Sequence, residues 1–187
     1  MSSIVVARVL AIASGAAFVL VVAWLHGRRR DLDPRTTGIS HYASGATVTA
    51  ATAAFLLLAL SLTGAAAIVR FTAAAGPTGL TPGVVFLYLA AAGILVVAVT
   101  PVTDDPDAHQ ARFMHNAGGA LFFLSAAAGS VAVSGGSMSV PGIVAWLVAV
   151  LVALFLLSLG GVAFLAPIRG WLQRACFAGV VLWITLL

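Results

Sequence analysis

The stretch Asp33-Pro34-Arg35-Thr36-Thr37-Gly38-Ile39-Ser40-His41-Tyr42-Ala43-Ser44-Gly45 is a long polar run in a strongly apolar chain, and it leads directly into a long apolar segment. A second polar run, residues 100–115, ends in the same way at the start of another apolar segment. Together with Asp31, these two runs contain three of the four histidines and all five acidic residues. We call residues 33–45 the first polar mouth and residues 100–115 the second, and we predict that the rest of the chain packs around them.

The composition makes lipid the expected solvent. Of the 187 residues, 62% are hydrophobic and only 7% are charged, whereas about a quarter of the residues of a typical soluble domain are charged. Such a chain cannot cover its surface with wettable side chains, so residues 1–187 are predicted to form a single integral membrane domain. The net charge of +4 comes from arginines beside apolar segments. This placement favours contacts with anionic lipid headgroups and argues against nucleic acid as a partner.

Six apolar segments are long enough to cross a bilayer, which takes about 20 helical residues. They cover, approximately, residues 4–25, 42–69, 83–99, 113–133, 140–166 and 171–187. Their apolar runs do not alternate with polar residues, which excludes a β-barrel, and lipid offers backbone groups no partners outside helices. The predicted fold class is therefore all-α, a polytopic membrane bundle of six transmembrane helices. Small residues inside the segments, including Gly15, Gly64, Gly118 and Gly160, predict close helix packing.

Arginine placement predicts the orientation in the membrane. With six spans, the loops after the first, third and fifth helices lie on the same side, and they carry Arg28, Arg29, Arg30, Arg35, Arg112 and Arg169. The loops on the other side carry only Arg70. The positive-inside rule therefore predicts that loops one, three and five are cytoplasmic and that both termini lie outside the cell membrane.

The candidate catalytic residues are Ser40, Asp104, Asp105 and His115, all in the two polar mouths. His115 is predicted to open the fourth helix, with small residues above it on the same face, so that it points into the bundle. In an enzyme, His115 would be a general base or metal ligand, Ser40 a nucleophilic or positioning group, and Asp104 or Asp105 an orienting carboxylate. The alternative is structural: His115 bonds to a neighbouring helix or reaches the headgroups.

The candidate metal ligands are His41, Asp104, His109 and His115, whose nitrogen and oxygen atoms suit zinc or a similar ion. The sequence contains no H-E-x-x-H motif and no cysteine cluster, and the six-residue spacing of His109 and His115 does not place them on one helix face. A haem held by His41 and His115 is favoured less than a metal ion, because both lie at the membrane edge. The cofactor therefore stays open.

Three arginines are candidate contacts for lipid phosphates: Arg28, Arg35 and Arg174. Arg174 is unusual because it lies about one turn inside the sixth apolar segment. Its other possible partners are Asp33, Asp104 and Asp105. Alternatively, Arg174 has no specific partner and extends its charged end to the membrane surface.

Several short patterns resemble a known family. They are Asp33-Pro34-Arg35 with Ile39-Ser40, the acidic Pro/Thr/Asp turn after the third helix, His115 in the fourth, and Gly170, Gln173-Arg174 and Trp183 in the sixth. Over nearly the whole chain this pattern resembles the bacterial membrane family called domain of unknown function 998. It is also similar to the DRAM/Frag group of eukaryotic six-helix membrane proteins. The resemblance implies a multi-pass bacterial membrane protein with no established activity.

Three functions follow as alternatives. The first is binding, in which the polar pocket recognises a lipid headgroup, a partner membrane protein or a second copy of the chain. The second is an intramembrane enzyme that processes lipid and possibly needs a metal. The third is a small transporter, which ranks last because the sequence lacks a strongly polar residue at mid-membrane depth.

Overall fold

The computed structural model describes residues 2–72, 81–102, 107–135 and 138–187, and in that part of the chain every regular element is helical. The six α-helices are α1 (Ser3–Arg28), α2 (Val48–Thr72), α3 (Pro82–Val99), α4 (His109–Ser134), α5 (Val140–Leu159) and α6 (Arg169–Thr185). Short 3₁₀ helices lie at Ile39–Tyr42, Gly45–Thr47 and Ala166–Ile168. The all-α prediction is confirmed.

Helices α1 to α5 are long and apolar enough to cross a membrane. Helix α6 has 17 residues, which corresponds to about 25 Å at 1.5 Å per residue and is shorter than the roughly 30 Å hydrocarbon core. Large apolar side chains point outward along the bundle, among them Leu20 (71% exposed), Leu147 (56%) and Leu182 (51%). This surface is the one expected of a multi-pass membrane protein surrounded by lipid.

The helices pack in chain order. Each α-helix contacts the next, and α6 closes the bundle by packing against α1 and α2. The backbone N–H of Gly170, at the start of α6, donates to the carbonyl oxygen of Arg35 (2.6 Å). The first polar mouth therefore lies at the bundle end where α1, α3 and α5 finish and α2, α4 and α6 begin, which we call the polar end.

Small residues bring the helices close together, as predicted. A Cβ atom on Gly118 of α4 would lie 2.9 Å from the carbonyl oxygen of Gly93 in α3, and one on Gly64 of α2 would lie 2.9 Å from the backbone nitrogen of Ala11 in α1. The Ser61 hydroxyl donates to the Ala11 carbonyl across the same α1–α2 contact (2.7 Å). Backbones that approach this closely gain the packing contacts that replace the hydrophobic drive in a bilayer.

Several predicted boundaries are wrong. Helix α2 begins at Val48 instead of residue 42, because the preceding residues form two 3₁₀ helices. Helix α4 begins at His109, since the polar residues before the apolar segment continue the helix; His115 therefore lies in its second turn and does not open it. Helix α5 ends at Leu159 instead of residue 166. The chain turns at Gly161, whose φ of +91° favours glycine.

Candidate functional site

A cavity of about 630 Å³ lies at the polar end of the bundle, within the usual size of small-molecule sites. Its rim is polar and includes Ser40, His41, Arg112, His115, Arg169 and Gln173. Its floor is aromatic and includes Phe55, Phe122, Phe123, Phe155 and Phe177. The first polar mouth, α4 and α6 contribute the rim, whereas α2, α4, α5 and α6 contribute the floor.

Phe177 of α6 is the centre of the floor. Its ring stacks on Phe122, with 5.2 Å between ring centroids and 17° between ring planes, and it meets Phe123 edge-on at 5.3 Å. Phe123 in turn contacts Phe155 of α5 at 4.8 Å. Aromatic rings packed in this way form a rigid apolar surface.

His115 reaches the rim from α4 and is almost buried, with 8% exposure. Its Nδ1 lies 2.5 Å from the carbonyl oxygen of Thr100, directly after α3. A carbonyl oxygen can only accept, so Nδ1 carries the proton, and in the neutral ring Nε2 carries a lone pair. The bond also satisfies a carbonyl group at the end of α3. His115 therefore has the structural contact predicted as its alternative role, and among the described residues none bonds to its Nε2.

Gln173 has a fixed orientation. Its Oε1 accepts a hydrogen bond from the backbone N–H of Ile39 (2.7 Å), so its Nε2 is the group left for the cavity that it lines. Among the described residues, none accepts a hydrogen bond from Gln173 Nε2 or pairs with the exposed guanidinium of Arg169. The α6 side of the rim thus presents hydrogen-bond donors.

Arg174 holds the first polar mouth onto α6. Its Nη1 donates to the carbonyl oxygens of Pro34 (2.9 Å), Thr37 (2.8 Å) and Gly170 (2.9 Å), and its Nη2 donates to the Tyr42 hydroxyl (2.7 Å). The Tyr42 hydroxyl also lies 2.9 Å from Nδ1 of His26. The carboxylate of Asp33, a predicted partner of Arg174, instead accepts from the backbone N–H of Arg35 (2.9 Å). The predicted contact of Arg174 with a lipid phosphate stays a prediction.

Gly170 permits this contact between loop and helix. A Cβ atom at this position would press against the carbonyl oxygen of Pro34 and would lie 2.6 Å from that of Thr37. Only a residue without a side chain allows the backbone to approach so closely. The Gly170, Gln173 and Arg174 motif of the sequence therefore joins the first polar mouth to α6, and one of its members also lines the cavity.

Arg29, directly after α1, pairs with Asp31 and also bonds to the first polar mouth. Arg29 Nη2 lies 2.9 Å from Asp31 Oδ2, and Arg29 Nη1 donates to the Ser44 hydroxyl (2.9 Å). The hydrogen bond from Arg29 lowers the pKa of Asp31, and the same bond raises the pKa of Arg29. The Asp31 side chain is 61% exposed, so this pair stabilises the fold only slightly.

Of the predicted site residues, the structure brings Ser40, His41 and His115 together at the cavity. His109 is exposed and lies beside Arg112, with 3.1 Å between its Nδ1 and the Arg112 Nη2. The predicted carboxylates, Asp104 and Asp105, fall outside the described residues. In the part of the chain that is described, no three His, Cys, Asp or Glu side chains gather into a metal-binding group.

The two other arginines predicted to contact lipid lie away from the cavity. Arg28 packs over the ring of Trp24, 5.3 Å from its centroid. The Arg35 side chain is exposed. Both face the surroundings of the bundle at the polar end, and contacts with lipid phosphates stay predictions for them.

Several cavity residues were not predicted as site residues. Arg112 and Arg169 entered the sequence analysis only as markers of orientation. Gln173 had a recognisable signal, because a polar amide inside an apolar segment is uncommon. The five phenylalanines had none, since a phenylalanine that lines a cavity and one that faces lipid look alike in a sequence.

One protein family matches the chain. Its sequence model, described as protein of unknown function (DUF998), covers residues 12–187. No curated protein and no solved structure matches. The resemblance to this family that the residue patterns predicted is confirmed, whereas the similarity to the DRAM/Frag group stays a prediction.

Proposed function

Because the chain belongs to the DUF998 family, whose description names no activity, its function has to be inferred from the cavity, and we propose that the cavity binds a membrane lipid with an anionic headgroup. One observation carries this proposal. A single cavity of about 630 Å³ combines a cationic rim with an aromatic floor. A ligand that satisfies both surfaces has an anionic end and an apolar end, and lipids are the ligands of that kind that a membrane supplies.

The rim favours an anion. Arg112 and Arg169 line it together with two histidines, and no carboxylate of the described residues does so. A guanidinium group binds phosphate through two parallel hydrogen bonds, which are stronger than bonds between neutral groups. A phosphate placed between these arginines would also accept from the Nε2 of Gln173.

The floor favours an acyl chain. Phe122, Phe155 and Phe177 present apolar surface, and burying apolar surface contributes about 25 cal/mol per Å². Leu159, at the end of α5, lines the cavity and is 54% exposed. We expect the cavity to open to the lipid-facing surface beside Leu159, so that a lipid places one chain inside it without leaving the membrane.

The test of the rim compares two arginine variants by native mass spectrometry of the detergent-purified protein. Arg169→Gln removes a rim charge, whereas Arg30→Gln removes an exposed charge at the same end of the bundle that does not line the cavity. We expect Arg169→Gln to weaken anionic phospholipid binding by at least about tenfold, the effect of a hydrogen bond to a charged group, and Arg30→Gln to leave it unchanged. Equal effects of the two variants would overturn the proposal.

The test of the floor fills the cavity. Gly119 lines it, and a Cβ atom there would meet no atom within 4 Å. We expect Gly119→Leu to fold normally and to lose the bound lipid, because its side chain occupies the space of the acyl chain. Gly27→Leu is the matched control, since Gly27 also has open space around its Cβ position and does not line the cavity. Lipid binding that survives in Gly119→Leu would place the lipid elsewhere on the protein.

A second candidate function, an intramembrane enzyme acting on the bound lipid, is favoured by one observation. Ser40 and His115 line the same cavity as the proposed headgroup site, and Nε2 of His115 is the atom that would act as a general base. The check is to incubate the protein in vesicles and follow lipid products by mass spectrometry. Turnover that is lost in Ser40→Ala and in His115→Asn would support an enzyme, and no product from the wild type would count against one.

A further inference from the structure

We infer that the headgroup bound in the cavity is a phosphodiester that also carries a hydroxyl group. This inference rests on the proposed lipid-binding function and specifies its ligand. It comes from the hydrogen-bonding character of the rim, which combines several donors with one acceptor, the Nε2 of His115.

The donors define the place of the phosphate. The guanidinium groups of Arg112 and Arg169 can only donate. Gln173 is restricted to donation as well, because the N–H of Ile39 occupies its oxygen at 2.7 Å. A phosphodiester, which offers only acceptors, matches this side of the rim. The Ser40 hydroxyl can both donate and accept, so it does not discriminate between headgroups.

The acceptor defines the second group. His115 donates its Nδ1 proton to the Thr100 carbonyl oxygen, so the neutral ring presents the lone pair of Nε2. A bare phosphodiester has no proton to offer, so a lipid headgroup that covers the rim would leave this acceptor without a donor, which is unfavourable. A hydroxyl group on the headgroup would supply this proton while the phosphate faces the arginines.

An ammonium group would be the other possible donor, and the charges of the rim disfavour it. Arg169 repels a cation, and among the described residues no carboxylate pairs with Arg169 or lines the cavity to offset that repulsion. The hydroxylated anionic headgroup is therefore favoured over the zwitterionic one. The aromatic floor assigns the headgroup to a lipid instead of a soluble phosphate.

The experiment uses two lipids with identical acyl chains, phosphatidylglycerol and phosphatidylmethanol. Both carry one phosphodiester charge, and only the first has headgroup hydroxyls. At pH 8, binding to the purified protein is measured by titration and native mass spectrometry. We expect phosphatidylglycerol to bind about fivefold more tightly, the effect of one hydrogen bond.

Variants assign the preference to His115. His115→Asn retains a donor near the position of Nδ1 and lacks Nε2. It should bind both lipids with the affinity that the wild type has for phosphatidylmethanol. His115→Gln reaches the position of Nε2 and should restore part of the preference. Arg169→Gln should lower the affinity for both lipids by the same factor and leave the ratio of the two affinities unchanged. The unfolding temperature of each variant establishes that it is folded.

The outcomes separate this inference from the function on which it rests. If the wild type binds both lipids equally and Gly119→Leu binds neither, the hydroxyl inference is overturned and lipid binding in the cavity stands. Binding of neither lipid would overturn the proposed function itself. A preference that persists in His115→Asn would overturn the role of His115. Competition by glycerol phosphate as strong as that by the intact lipid would overturn the assignment to a lipid.

Discussion

At the residue scale, Arg174 illustrates why an arginine and not a lysine suits the junction between the first polar mouth and α6. One guanidinium group reaches three carbonyl oxygens and the Tyr42 hydroxyl, with distances from 2.7 to 2.9 Å. A planar group with donors pointing in several fixed directions can serve separated acceptors at once, whereas an ammonium is a compact point charge. The residue most unusual in the sequence thus organises the loop beside the cavity.

We predict that Arg174→Lys unfolds at a lower temperature than wild type in detergent, with a loss of about 2 kcal/mol, the scale of hydrogen bonds to a charged group. Circular dichroism during heating measures this change. Arg30→Lys, at an exposed arginine, is the control and should unfold like wild type. A change of the same size in both variants would mean that the contacts of Arg174 do not stabilise the fold.

The ion pair of Arg29 and Asp31 gives a pH dependence of known sign. Arg29 lowers the pKa of Asp31 in the folded protein, so the stabilisation is present above the ordinary carboxyl pKa and is lost as the pH falls through the lowered value. Asp31→Asn should therefore lower the unfolding temperature slightly at pH 7 and not at strongly acidic pH. A difference that grows in acid would contradict this assignment.

At the element scale, α4 carries two adjacent glycines with opposite surroundings. A Cβ on Gly118 would lie 2.9 Å from the Gly93 carbonyl oxygen and 2.8 Å from a methyl carbon of Val96, whereas one on Gly119 would meet open cavity. Gly118 permits the contact with α3, and Gly119 lines the space where we propose that the ligand binds. Their roles differ because neighbours on a helix point about 100° apart.

We predict opposite effects for Ala at these two positions. Gly119→Ala should raise the free energy of unfolding by about 0.5–1 kcal/mol, because alanine favours the helix. Gly118→Ala should lower it by about 1–3 kcal/mol, because the added methyl group forces α3 and α4 apart. Denaturant unfolding of the two variants measures both signs, and a stabilising Gly118→Ala would contradict the close α3–α4 packing.

At the scale of the whole molecule, the arginines at the polar end predict that this end faces the cytoplasm. Met138, before α5 at the other end, is 85% exposed, and the natural Cys176 is completely buried. In intact bacterial cells, an impermeant thiol reagent should therefore label Met138→Cys and should label Gly27→Cys only after lysis. The reverse pattern would invert the orientation.

The sequence by itself determined the solvent and the helices of this protein. About 20 apolar residues in succession suffice to predict a membrane helix, so the summed hydropathy of each segment contained the information. The helix ends were predicted less well, because the polar residues before His115 and the 3₁₀ turns after Ile39 depend on local bonding that hydropathy does not report.

Only the tertiary structure decided where the cavity lies. The floor of the cavity joins Phe55, Phe122 and Phe177, which are far apart in the chain and whose side chains resemble any lipid-facing phenylalanine. The partners of Arg174 are mostly backbone carbonyl oxygens, and because every residue has one, no pattern of side chains distinguishes them. Hydropathy is a local sum and is readable from the sequence, whereas a cavity depends on how separate helices meet.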